Sequence, residues 1–169
     1  MTQHGRLFSR ILVAGLLIAS TSFASEWKGK PDSSEVAVGG IAGVGVIDGV
    51  GNFTLLGTLA KKIVNQGFIP DVNNSVWLEA QLGPYFATGF TPWAYSAHLR
   101  WNFNKDAEWT FYALGGLGGA FIPTHAGIPS KIEMIPRLGI GTFWNVSAMF
   151  LIRLEVSHEL VGLGMTFPF

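Results

Sequence analysis

Apolar and polar residues alternate over long stretches of this chain. Over residues 93–104, apolar or aromatic residues occupy the odd positions and mostly polar or small residues the even positions. Successive side chains of a β-strand point to opposite faces, so this period of two predicts a strand with one apolar and one polar face. The stretch 161–169 repeats the pattern and ends on the aromatic residue Phe169.

Turn-forming residues divide the chain into eight segments of this kind. The predicted strands cover residues 35–47, 53–64, 75–86, 93–104, 108–121, 133–144, 148–157 and 161–169. These lengths are close to the roughly 9–11 residues that a tilted strand needs to cross a bilayer, whereas strands of soluble sandwiches usually have about 5–6. Strand length therefore favours a transmembrane barrel.

Composition leads to the same fold class. Hydrophobic residues make up 49% of the chain and charged residues 13%, which is too apolar for a disordered protein. No run of apolar residues is long enough for a spanning helix, and a closed barrel is the other fold that satisfies every backbone group in a bilayer. The alternative is a soluble, lipocalin-like eight-stranded barrel in the periplasm, but its outer face would carry very few charges.

The first residues are typical of a secretory signal. Arg6 and Arg10 precede an apolar stretch, and small residues at Ser22 and Ala24 predict cleavage after residue 24. We therefore expect a signal peptide over residues 1–24, a short lead over 25–34 and a barrel over 35–169. The predicted fold is an eight-stranded antiparallel up-and-down transmembrane β-barrel, exported across the inner membrane and located in a bacterial outer membrane with both termini in the periplasm.

Several function classes are disfavoured by composition. Lysine plus arginine and aspartate plus glutamate each number 11, so no basic excess indicates a nucleic-acid partner. The chain has no cysteine, and His98, His125 and His158 lack a second ligand at short spacing. We expect no metal site and no cofactor.

The lengths of the hairpins predict which inward side chains meet. The connection at 87–92 places Glu79 opposite His98, with a shift of two residues also compatible with its length. A two-residue turn at 158–159 places Arg153 beside Gly164. A three-residue turn at 145–147 places Arg137 directly opposite Glu155.

An eight-stranded barrel has interior room for side chains only, and buried charges need partners. Glycines on the inner face, such as Gly141, Gly162 and Gly164, leave space for long polar side chains. The sequence therefore predicts an interior ion-pair network of Glu79, His98, Arg100, Arg137, Arg153 and Glu155.

One set of inward residues has the composition of a catalytic triad. Ser96, His98 and Glu79 fall on one face of neighbouring strands, as a nucleophile, a base and an orienting acid would. We interpret them as interior hydrogen-bonding residues, because a filled bore would not admit an acyl chain, and keep them as weak catalytic candidates.

The second half of the chain resembles small bacterial outer-membrane β-barrels of the general outer-membrane-protein type. The resemblance lies in the glycine-rich stretch 112–121, in 136–141 and in 152–156, which look like the last four strands of such proteins. It implies outer-membrane lipid and lipopolysaccharide as surroundings. It also implies that the barrel-assembly machinery recognises Phe169 as an assembly signal.

The chain is also somewhat similar to lipid A deacylases, which are eight-stranded barrels with a His-x-Ser pair. No His-x-Ser occurs here, since Ser96-x-His98 has the reversed order. We therefore expect a non-enzymatic protein with an envelope-structural or surface-interaction role. The alternatives are a lipid A deacylase-like outer-membrane hydrolase and, third, a ligand-binding or small-solute role, which a filled bore disfavours.

Overall fold

A computed structural model of the protein describes residues 33–47, 49–69, 72–124, 127 and 129–169. The expected signal peptide and all but the last two residues of the expected lead lie outside these ranges. The strands are β1 Val36–Ile47, β2 Val50–Val64, β3 Asn74–Ala87, β4 Trp93–Asn104, β5 Trp109–Ile122, β6 Lys131–Asn145, β7 Leu151–Ser157 and β8 Leu160–Pro168. Among the described residues, no helix is long and apolar enough to cross a membrane.

The eight strands form a closed antiparallel barrel in which each strand pairs with its neighbours in the sequence. Closure comes from β1 and β8, which pair from Ala37 opposite Pro168 to Gly45 opposite Leu160. No strand edge is left exposed, so the ladder satisfies the backbone all the way round. The predicted fold class is therefore confirmed.

The two ends of the barrel differ in the segments that they carry. The end where β1 begins and β8 finishes is called the lower rim here, and it carries the connections 65–73, 105–108 and 146–150. The opposite end is called the upper rim, and it carries the connections 48–49, 88–92, 123–130 and 158–159.

Alternation assigns the two faces of the barrel wall. In β4, Leu99 is 50% exposed on the outside while His98 and Arg100 are each only 2% exposed in the bore. The same contrast runs around the wall, because the outward positions of the other strands are also mostly large and apolar. The barrel thus has an apolar exterior, whereas its interior holds both buried charged residues and an apolar cluster that includes Ile41, Leu56 and Tyr85.

Three boundaries differ from the sequence prediction by more than one residue. Strand β2 begins at Val50 because Gly49, with φ at 76°, permits a tight turn directly after β1. Strand β6 begins at Lys131, two residues before the predicted start. Strand β7 begins only at Leu151, so it has seven residues and is shorter than predicted.

The register is as predicted for two hairpins. Glu79 lies opposite His98 between β3 and β4, and Arg153 lies opposite Gly164 between β7 and β8. Both pairings agree with the predicted positions of these two connections.

The predicted register between β6 and β7 is wrong. Glu155 lies opposite Gly141, four residues further along β6 than Arg137. The cause is a longer turn, in which the Ser147 hydroxyl accepts hydrogen bonds from the backbone N–H groups of Met149 (3.2 Å) and Phe150 (3.3 Å). Such a side-chain cap favours a turn over a strand. Because the shift is even, Arg137 and Glu155 still point into the bore.

Candidate functional site

The Glu79 carboxylate lies at the centre of the bore and accepts hydrogen bonds from several strands. Its Oε1 accepts from Arg153 Nη2 at 2.7 Å and from Gln81 Nε2 at 2.9 Å, and lies 3.2 Å from His98 Nε2. Its Oε2 accepts from Arg100 Nη1. Glu79 is 1% exposed, so these partners replace the water that the charge has lost.

Arg153 links Glu79 to a second buried carboxylate. Its Nη2 donates to Glu155 Oε2 at 2.5 Å as well as to Glu79, and its Nε donates to the Tyr112 hydroxyl at 2.9 Å. The same hydroxyl donates to Glu155 Oε2 at 3.0 Å. The Tyr112 ring lies against Gly141, where an added Cβ would come within 2.3 Å of the ring. A glycine at that position makes room for the ring.

Arg137 extends the network toward the upper rim. Its Nη2 donates to Glu155 Oε1 at 2.5 Å and to Gln81 Oε1 at 2.6 Å. Its Nη1 donates to Ser157 Oγ at 3.2 Å and also to Glu159. The contact with Glu155 therefore forms diagonally, across the shifted register.

Aromatic rings cover the network from below. The Arg100 guanidinium carbon lies 4.8 Å from the ring centre of Phe143 and 5.2 Å from that of Trp77. A cation over an aromatic face is attracted by the ring quadrupole. Below these rings a cavity of about 660 Å³ opens at the lower rim, with Asn102, Thr110 and Thr166 among its lining residues.

The formal charges of this interior cluster balance. Arginine supplies the cations and glutamate the anions, in the set Arg100, Arg137, Arg153, Glu79, Glu155 and Glu159. Removing one member of such a set leaves an uncompensated buried charge, which typically costs about 3–5 kcal/mol. The cluster joins β3, β4, β6, β7 and the connection 158–159 into one unit.

The weak catalytic candidates do form a hydrogen-bonded chain. Ser96 Oγ lies 3.4 Å from His98 Nδ1, and His98 Nε2 lies 3.2 Å from Glu79 Oε1. The space beside Ser96 is a cavity of about 30 Å³, which is enough for a water molecule or two. In this geometry His98 orients Ser96 within the bore, and the space beside it is too small for a fatty acyl chain.

The predicted network lacks Glu159 and several uncharged residues that bond to the cluster, among them Tyr112 and Gln81. Tyr112 and Gln81 are uncharged, and a search for complementary charges passes over them. Glu159 was assigned to the turn at 158–159, yet its side chain reaches back to Arg137. Its position two residues after Ser157, the last inward residue of β7, is the signal that could have indicated it.

The described residues contain no group of three histidine, cysteine, aspartate or glutamate side chains that could hold a metal ion. His98 contacts Ser96 and Glu79, and His158 lies 3.2 Å from Glu159. His125 lies outside the described residues.

The fold is shared with solved structures of small outer-membrane barrels. Ail, the attachment invasion locus protein of Yersinia pestis, is 17% identical with a TM-score of 0.55, over 80% of this chain and 97% of that one. The N-terminal β-barrel domain of Pseudomonas aeruginosa OprF is 16% identical with a TM-score of 0.56, over 81% of this chain and 100% of that one.

Neisserial surface protein A is 9% identical with a TM-score of 0.50, over 82% of this chain and 98% of that one. No protein-family model matches the chain, and no curated protein matches it. The predicted resemblance to the general outer-membrane-protein type therefore holds at the level of the fold.

Arg137 and Glu155 should be energetically coupled. We expect Arg137→Met and Glu155→Leu each to lower the free energy of unfolding by about 3–5 kcal/mol, and the double variant to lose much less than the sum, because each single change leaves a buried charge without one of its partners. Urea unfolding in lipid vesicles measures the free energy of unfolding of the unaltered protein, the two single variants and the double variant.

The exposed pair Lys131 and Glu133, 3.3 Å apart, provides the control. Lys131→Met and Glu133→Leu should each change stability by less than about 1 kcal/mol. Strict additivity at Arg137 and Glu155 would contradict the network.

Proposed function

We propose that this chain spans the bacterial outer membrane as a plugged, non-enzymatic β-barrel with a structural role in the envelope. The observation that carries this proposal is the packed charge cluster, in which Glu79, Arg153 and Glu155 are each at most 1% exposed. A bore filled by compensated charges provides rigidity, and it leaves neither an aqueous passage nor a substrate cleft at this level.

The exterior supports a membrane location. Its outward apolar side chains form a belt, and aromatic pairs lie near both ends of that belt. Phe53 stacks on Phe86 near the upper rim with ring centres 6.3 Å apart, and Trp109 stacks on Trp144 near the lower rim at 5.9 Å. Aromatic girdles of this kind are typical where a barrel meets the two membrane interfaces. Outer-membrane phospholipid and lipopolysaccharide are the partners that this surface fits.

The upper rim favours a structural role over recognition of a polyanion. One structure of Ail contains the heparin analogue sucrose octasulfate. In this chain Lys131 lies 3.3 Å from Glu133 and His158 lies 3.2 Å from Glu159. These basic groups of the described upper rim already face carboxylates, so they form a poor surface for a sulfated ligand. Surface interaction through the connections of the upper rim is the second role that we propose for this barrel.

The positions of Ser96, His98 and Glu79 do not favour a hydrolase. Ser96 and His98 lie inside the wall, whereas the acyl chains of lipid A lie outside it. Glu79 is held by Arg153 and Arg100 as well as by His98. We infer that the set stabilises the interior.

The protein should behave as a membrane barrel in cells. We expect it in the outer-membrane fraction, and we expect unboiled samples in mild detergent to migrate differently from boiled ones, because a closed barrel keeps its fold until it is heated. Fractionation followed by electrophoresis with and without boiling measures both. A water-soluble, heat-insensitive protein recovered from the periplasm would overturn the membrane assignment.

Purified lipopolysaccharide should remain intact when incubated with the protein. The reason is that the cavity of about 30 Å³ beside Ser96 cannot admit a fatty acid. Mass spectrometry of lipid A detects the loss of an acyl chain. Release of a fatty acid that Ser96→Ala abolishes and Ser147→Ala preserves would establish the deacylase-like alternative instead.

A further inference from the structure

The connection between β2 and β3 carries large apolar side chains on the outside of the lower rim. Phe68 is 74% exposed and Ile69 is 40% exposed. Hairpin connections in barrels usually place polar or small residues at this end, where the turns are short. Large apolar side chains that are exposed next to one another indicate contact with an apolar partner.

Side-chain hydrogen bonds hold the described part of this connection in a defined shape. Asn74 is buried at the start of β3, and its Nδ2 donates to the carbonyl oxygens of Ile69 at 2.7 Å and Val72 at 2.6 Å. Gln66 Nε2 donates to the same two carbonyls at 3.2 Å and 2.9 Å. At Gly67 an added Cβ would meet Asn74 Oδ1 at 1.8 Å, so the backbone passes as close to Asn74 as a glycine allows.

The same asparagine ties the connection to the barrel exterior. Asn74 Oδ1 accepts a hydrogen bond from Trp101 Nε1 at 2.8 Å, and the Phe68 ring packs edge-on against Trp101 with ring centres 5.5 Å apart. Trp101 and Phe103 occupy outward positions of β4, and their ring centres are 4.7 Å apart. Trp101 and Phe103 are half-buried, whereas Leu99 in the same outward row is 50% exposed.

We propose that Phe68 and Ile69 form an interfacial anchor that inserts into the phospholipid leaflet at the lower rim. The inference rests on the membrane location proposed above. Continuity carries it, because Phe68 packs on Trp101 and so adds to the outward apolar row that also contains Leu99. Aromatic side chains are favoured at this depth of a bilayer. The Asn74 hydrogen bonds hold the backbone of the anchor in place, so insertion requires little ordering of the chain.

The absence of cysteine from the sequence makes a direct test possible. Single variants Phe68→Cys, Leu99→Cys and Lys105→Cys are purified from cell envelopes, labelled with a nitroxide and reconstituted in vesicles of phosphatidylethanolamine and phosphatidylglycerol. Electron paramagnetic resonance then compares collisions of the label with oxygen, which is enriched in lipid, and with a water-soluble nickel chelate equilibrated across the membrane. Leu99 reports the lipid-facing belt, and Lys105 reports another lower-rim connection.

We expect the oxygen-to-nickel collision ratio at position 68 to be several-fold higher than at position 105 and to approach that at position 99. A ratio at 68 equal to that at 105, with position 99 still in lipid, would overturn the anchor and leave the membrane assignment intact; this is also the result expected if Phe68 binds a soluble protein. Nickel access at all three positions would overturn the membrane assignment itself.

A second variant tests the hydrogen-bonded support. Adding Asn74→Ala to Phe68→Cys should increase nickel access at position 68, while heat-modifiable migration confirms that the barrel has folded. An unchanged collision ratio in a folded double variant would contradict the role of Asn74 in holding the anchor.

Discussion

Compensation of buried charge is the constraint on which the rest of this barrel depends. Arg153 is fully buried and faces Glu79 at 2.7 Å and Glu155 at 2.5 Å, so neither carboxylate could lose it without a large penalty. A glycine on β6 leaves room for this arrangement, since an added Cβ at Gly141 would come within 2.3 Å of the Tyr112 ring. The Tyr112 hydroxyl bonds to both Arg153 and Glu155, so the small residue at 141 lets the two charged side chains share this partner.

The fold was predictable because alternation specifies the face of every residue. A single period decided that Glu79, Arg137 and Glu155 point inward, and this assignment survived an error in the register. The predicted pairing of Glu79 with His98 is also found in the structure.

The site was less predictable where turns decide the contacts. The capped turn at Ser147 lengthens the connection between β6 and β7. As a result, Arg137 contacts Glu159 as well as Glu155. Alternation carries no signal for such a turn, nor for the diagonal reach of an arginine across several strands. The support of Phe68 by Asn74 depends on a hydrogen bond between segments, which periodicity does not describe either.

The central claim is that the charge cluster closes the bore, and electrical recording across a planar lipid bilayer tests it most directly. The purified protein should add no steady current in potassium chloride, whereas the variant that combines Arg137→Ala with Glu155→Ala should conduct, because it removes side chains from the filled layer. A steady, ohmic conductance of the unaltered protein, equal to that of the variant, would contradict this account.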